Sequence, residues 1–143
     1  MTSCIVDASV AAKWLLPTAG EGLVDQANHL MALHVRRDLQ LLAPDLLEAE
    51  IGNVLWKGVR RNRITEPEAQ NSLRRFTALG IQVLPTSDLM GQALQIALAC
   101  GRSFYDSLYV ALAVATKTEL ITADERLVNA LGSRFPVRWL GAF

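Results

Sequence analysis

Nitrogen and sulfur ligands are scarce in this sequence, and their scarcity removes several chemistries at once. Histidine and cysteine each occur twice in 143 residues. His29 and His34 are five apart on an expected helix, so they face different directions and cannot make a zinc site. Cys4 and Cys100 form no CxxC pair, and Cys4 lies in an apolar run where it reads as a small buried hydrophobe. A Walker A loop, a G-x-G-x-x-G fingerprint and a G-x-S-x-G elbow are all missing, which leaves nucleotide cradling and Ser-His-Asp hydrolysis without support. Long apolar runs are missing too. The longest, Leu108 to Ala115, is far too short to span a bilayer, and Asp7 and Lys13 break up the N-terminal run before it could serve as a secretory signal. The expectation is a soluble, cytoplasmic protein with reduced thiols and no membrane partner.

There is no excess of charge of either sign, since 14 Lys and Arg balance 14 Asp and Glu. A nucleic-acid role therefore cannot be argued from global charge. The distribution says more: between Ile51 and Gly80, Lys57, Arg60, Arg61, Arg63, Arg74 and Arg75 oppose only Glu66 and Glu68. A basic stripe beside an acidic remainder suits an enzyme that holds a polyanion with one surface and a metal with another. A solvated helix face would look the same. Half the residues are hydrophobic, at 51%, which excludes a disordered chain and gives enough core for one domain over residues 1–143.

Short apolar strands alternate with amphipathic helices along the chain. Strands are expected at Cys4–Val6, Leu41–Ala43, Ile81–Leu84, Leu120–Thr122 and Val137–Leu140. Helices are expected from Ala8 to Leu16, Glu21 to Arg37, Asp45 to about Asn62, Thr65 to Gly80, Ser87 or Asp88 to Cys100, Ser103 to Lys117, and Asp124 to Leu131. The alternation implies an α/β fold, a mostly parallel central sheet flanked by helices in three layers.

Ligands of open α/β sheets bind at the carboxyl ends of strands. Asp7 follows the first strand directly, Asp124 follows the fourth by one residue, and Asp106 stands in the first turn of a helix. Each has a structural reading as well. Asp7 or Ser9 could cap a helix, Ser103 to Asp106 fits a capping box, and Asp124 suits a helix N-terminus. Glu50 is the most informative. It falls within the stripe formed by Leu46, Leu47, Ile51, Val54 and Leu55, where a carboxylate is costly unless it is paired or binds metal. Glu48, by contrast, would stand at N3 behind an Asp45 cap and reads as structural. Four carboxylates without histidine or cysteine define a hard-oxygen site, suited to Mg²⁺ or Mn²⁺.

Four segments together resemble one family. Ile5-Val6-Asp7-Ala8-Ser9, the stretch from Pro44 to Leu55, Tyr105-Asp106-Ser107-Leu108-Tyr109 with its continuation to Ala113, and Leu120-Ile121-Thr122-Ala123-Asp124-Glu125-Arg126-Leu127 resemble the PIN domain in order and spacing. The resemblance is closest to its small stand-alone members, the VapC toxins of type II toxin–antitoxin pairs. It implies a metal-dependent endoribonuclease with Asp7, Glu50, Asp106 and Asp124 as catalytic metal ligands. It further implies that Ser9 and Thr122 orient those acids, that the protein forms a homodimer, and that a small antitoxin neutralises it. On this reading, metal-activated water attacks an RNA phosphodiester. Arg60, Arg61 and Arg63 are candidates for the RNA backbone, and equally for the antitoxin. Two rivals stand beside it. A haloacid-dehalogenase-like phosphatase would use Asp7 as nucleophile, but it expects an acid where this chain has Ser9. A non-catalytic module would use the acidic pocket only to receive a basic segment.

Overall fold

The computed structural model describes residues 2–17 and 21–143. Five strands form one sheet: β1 Thr2–Val6, β2 Leu39–Pro44, β3 Gln82–Leu84, β4 Glu119–Thr122 and β5 Val137–Trp139. The helices are α1 Ala8–Leu15, α2 Val24–Val35, α3 Leu47–Arg60, α4 Glu66–Ala78, α5 Met90–Cys100, α6 Phe104–Thr116 and α7 Glu125–Leu131. The sheet order is β3-β2-β1-β4-β5, and all four pairings are parallel. The expected α/β class is therefore observed.

Parallel strands buried on both sides need near-continuous apolar sequence. Ile5, Val6, Leu41, Ala43, Leu120 and Ile121 supply it and are essentially inaccessible to solvent. α6 packs across β1, β2 and β4 with α5 behind it, while α1 packs against β4 and is surrounded by α2, α3 and α4. Being covered so widely, α6 is buried continuously from Ser107 to Ala113. The eight-residue apolar run is thus a core helix, and among the described residues no helix is long and apolar enough to cross a membrane.

Several boundaries differ from expectation for local reasons. α2 starts three residues late because Leu23 adopts a left-handed conformation (φ 68°) that no right-handed helix accommodates. α3 starts at Leu47, and Asp45 does not cap it. The Asp45 carboxylate instead accepts from Thr86 Oγ1 at 2.6 Å, forty-one residues away. Glu48 therefore has no capping box to complete, and its side chain is exposed. Ser87 to Leu89 form a 3₁₀ turn ahead of α5, which has no side-chain cap. At α4 a capping box forms: Thr65 Oγ1 accepts from Glu68 N, and Glu68 Oε1 accepts from Thr65 N.

The strand order fixes where a site can lie. From β1 the chain proceeds outward through β2 and β3, then returns to β4 on the other side of β1. The crevice between the carboxyl ends of β1 and β4 is the topological switch point, where open α/β sheets bind ligands. Asp7 and Asp124 stand there.

Candidate active site

Asp7 occupies the N-cap position of α1, but its carboxylate makes no capping hydrogen bond. Its Oδ2 accepts from Ser9 Oγ and from Thr122 Oγ1, both at 2.7 Å. Thr122, fully buried at the end of β4, also accepts from Asp124 N at 3.0 Å. Ser9 Oγ in turn accepts from Ala123 N at 3.1 Å. The two hydroxyls thus clamp the turn after β4 to the turn after β1 and orient Asp7. Burial pushes the Asp7 carboxyl above the ordinary aspartate range, the two hydroxyls pull it down, and the charge of Asp106 pushes it up again.

Glu50 projects from the first turns of α3, on the flank of the stripe that buries Leu47, Ile51 and Leu55. Its Oε1 accepts from Tyr109 Oη at 2.6 Å. Tyr109 is 2% exposed and comes from α6, three residues after Asp106, so its ring lies in the core with the hydroxyl turned to the carboxylate. Burial raises the Glu50 pKa first of all. The Tyr109 bond lowers it, and the charges of Asp7 and Asp106 raise it further. No cation forms an ion pair with Asp7 or Glu50 among the described residues.

Asp106 and Asp124 complete the group. The capping box expected at Ser103 is only half made. Ser103 Oγ accepts from Asp106 N at 3.1 Å, whereas the Asp106 carboxylate turns to Arg102 Nη2 at 3.4 Å. The Asp124 carboxylate divides its work. Oδ1 caps α7 by accepting from Arg126 N and Leu127 N, and Oδ2 also meets Arg102 Nη2, at 3.5 Å. Its structural reading is therefore correct and accounts for one of its oxygens.

Asp7, Glu50 and Asp106 feel one another's charge, and Asp124 is joined to Asp106 through Arg102, but the four do not close on a common point. Among the described residues, no three His, Cys, Asp or Glu side chains stand ready to hold one ion. The donor chemistry nevertheless fits a hard divalent cation. Two recessed carboxylates, Asp7 and Glu50, have no cation partner, a third adds repulsion, and all available donors are oxygens.

The basic candidates lie apart from this group. At about 1.5 Å per residue, Arg60 is ~15 Å beyond Glu50 along α3. Its guanidinium stacks on Trp56, 5.2 Å from the ring centre. Arg63 is committed locally, donating to Pro17 O at 2.9 Å and pairing with Glu21 at 3.3 Å. Arg61 is exposed and has no ion-pair partner among the described residues. Sequence reasoning missed Tyr109, which reads as one more core position of α6, and Arg102, which precedes a helix cap. The available signals were the i,i+3 spacing of Tyr109 and the i,i−4 spacing of Arg102 from Asp106.

The PIN domain family matches residues 4–131. Ribonuclease VapC1 of Mycobacterium tuberculosis is 35% identical over 133 residues, covering 92% of this chain and 93% of that one. Ribonuclease VapC3 of Pyrobaculum aerophilum is 33% identical over 131 residues, covering 87% and 92%. A crystal structure of a Pyrobaculum aerophilum protein superposes with a TM-score of 0.71 at 24% identity, over 99% of this chain and 85% of that one. The structure of VapBC2 from Rickettsia felis bound to a DNA fragment from their promoter gives 0.67 at 12% identity, over 96% and 98%. At those identities the two structures speak for the fold alone.

Proposed function

This chain belongs to the PIN-domain family, among its VapC-type members, and we propose from that premise that it is a divalent-metal-dependent endoribonuclease acting as the toxin of a toxin–antitoxin pair. The observation that carries the reading is the pair of recessed carboxylates, Asp7 and Glu50, held by hydroxyls rather than cations beside Asp106. Charges left uncompensated in this way are costly unless an ion is expected.

Asp7, Glu50, Asp106 and Asp124 would hold Mg²⁺ or Mn²⁺. A bound divalent ion supplies Lewis-acid polarisation of the scissile phosphate and a water of lowered pKa. The chain's own groups do the rest. Ser9 and Thr122 fix the direction of the Asp7 carboxylate, and Thr122 ties the Asp124 backbone to it. Tyr109 engages Glu50 Oε1, and among the described residues Oε2 has no donor, so that Oε2 is the atom suited to accept the proton of an attacking water. Arg61 is the best of the three candidate arginines for the RNA backbone, since Arg63 is already bound to Pro17 and Glu21.

The partners follow the same reading. An exposed row on α5, Met90, Leu94 and Leu98 at i, i+4 and i+8, supports a homodimer through that helix. Between α3 and α4 a groove of about 410 Å³, lined by Leu55, Trp56, Val59, Ala69 and Leu73 among others, supports an apolar antitoxin segment. We take residues 1–143 to act as one domain and to work in the cytoplasm. The test is cleavage of single-stranded RNA by chain stripped with chelator, before and after Mn²⁺ is restored. Cleavage that returns with the metal supports the proposal, and cleavage indifferent to chelation sinks it.

A further inference from the structure

We propose that Arg102 is the internal counter-cation of the acid group, a positioning residue that holds Asp106 and Asp124 together in the metal-free protein and competes with the metal for them. The inference rests on the metal reading above. The Arg102 backbone is fixed on both sides: Gly101 ends α5 in a left-handed conformation (φ 68°), and Ser103 caps α6. From that short connection the side chain reaches two of the four acids with one nitrogen, Nη2, 3.4 Å from Asp106 Oδ2 and 3.5 Å from Asp124 Oδ2. These are the only ion pairs made by the four acids among the described residues.

Three features mark the contact as exchangeable. Both distances stand at the long limit for a hydrogen bond, and neither pair is bidentate. The Arg102 Nε is buried without an acceptor, so the guanidinium is not in a pocket shaped for it. One of the oxygens it touches is also the one a metal would need. Asp124 Oδ1 is occupied by Arg126 N and Leu127 N, which leaves Oδ2 as the oxygen over which Arg102 and an ion compete. A guanidinium there offsets the repulsion among four carboxylates while the site is empty of metal, and repels an incoming dication.

Arg102→Gln removes the charge, and Arg102→Met keeps the apolar stem, so the test can be repeated if the Gln variant does not fold. Mn²⁺ alone is titrated calorimetrically into chelator-stripped full-length chain without RNA. The uncharged variants should bind Mn²⁺ about three- to tenfold more tightly. Their metal-free forms should melt below wild type at low salt, with the deficit shrinking as NaCl screens the acids. A purely structural arginine would lower the melting temperature without tightening metal binding. Unchanged or weaker Mn²⁺ affinity in the uncharged variants, with Mn²⁺ bound by wild type and lost in Asp7→Asn, overturns the role of Arg102 and leaves the metal reading standing. A wild-type chain that takes up no Mn²⁺ overturns both.

Discussion

Tyr109→Phe removes one oxygen from the core and tests how the site is held. The ring of Tyr109 is buried and Phe fills the same space, so the change is confined to the 2.6 Å bond donated to Glu50 Oε1. A hydrogen bond to a charged group contributes roughly 1.5–3 kcal/mol, and water can replace part of it because Glu50 is only half-buried. The stability loss should therefore be about 1 kcal/mol, a fall of roughly 3 °C in a domain of this size. The functional loss should be larger. Removing a group that orients a metal ligand typically costs about 10–100-fold in metal affinity or activity. The pH dependence should move as well. The Tyr109 bond lowers a Glu50 pKa that burial raises, so the Phe variant carries a still higher one. Metal binding requires the carboxylate, and its pH midpoint should shift upward. Calorimetric Mn²⁺ titrations at a series of pH values, with RNA cleavage measured alongside, check the last two, and thermal melts of the two proteins check the first. Unaltered Mn²⁺ affinity and cleavage in a folded Tyr109→Phe protein would mean that Tyr109 does not hold Glu50 for the metal.

Three further outcomes are expected. Asp7 and Glu50 both have folded-state pKa values above their ordinary ones, so their contribution to metal-free stability is present at low pH and lost as pH rises through the raised values. Melting temperatures of chelated wild type minus chelated Asp7→Asn should therefore fall from acid toward neutral pH, and a flat or rising difference contradicts the raised Asp7. Glu50→Gln should lose cleavage by about 10²-fold or more while Glu48→Gln, altering an exposed side chain, keeps it; kinetics that reverse this order reassign the site. Arg61→Gln should flatten the salt dependence of RNA affinity by about one unit. Arg63→Gln should instead cost up to about 1 kcal/mol of stability by releasing Pro17 and Glu21, and leave that slope unchanged.

What could be read from the sequence divides along the range of the interactions. The strands, the end of α5 at Cys100 and the helix start at Thr65 follow from periodicity and near neighbours, and each is observed. Asp7, Asp106 and Asp124 could be placed at one sheet edge because each adjoins an element end, and Glu50 stood out by its position on the apolar stripe of α3. Asp45 escaped for the opposite reason: its local role as a cap lost to Thr86, a partner known only once β3 pairs with β2. Tyr109 is hidden more deeply. Every residue from Ser107 to Ala113 in α6 is buried, so only the i,i+3 spacing from Asp106 distinguishes a phenol aimed at Glu50 from one more core aromatic. Arg102 reads as an ordinary exposed loop cation until Asp124, from a different strand end, is brought beside Asp106.

The four carboxylates are proposed to form one divalent-metal centre. The most direct measurement is a Mn²⁺-soaked crystal examined at the manganese absorption edge. An anomalous peak is expected between Asp7, Glu50, Asp106 and Asp124, with the Arg102 guanidinium moved away from Asp124 Oδ2. A peak elsewhere on the molecule, or none at Mn²⁺ concentrations that support cleavage, would contradict it.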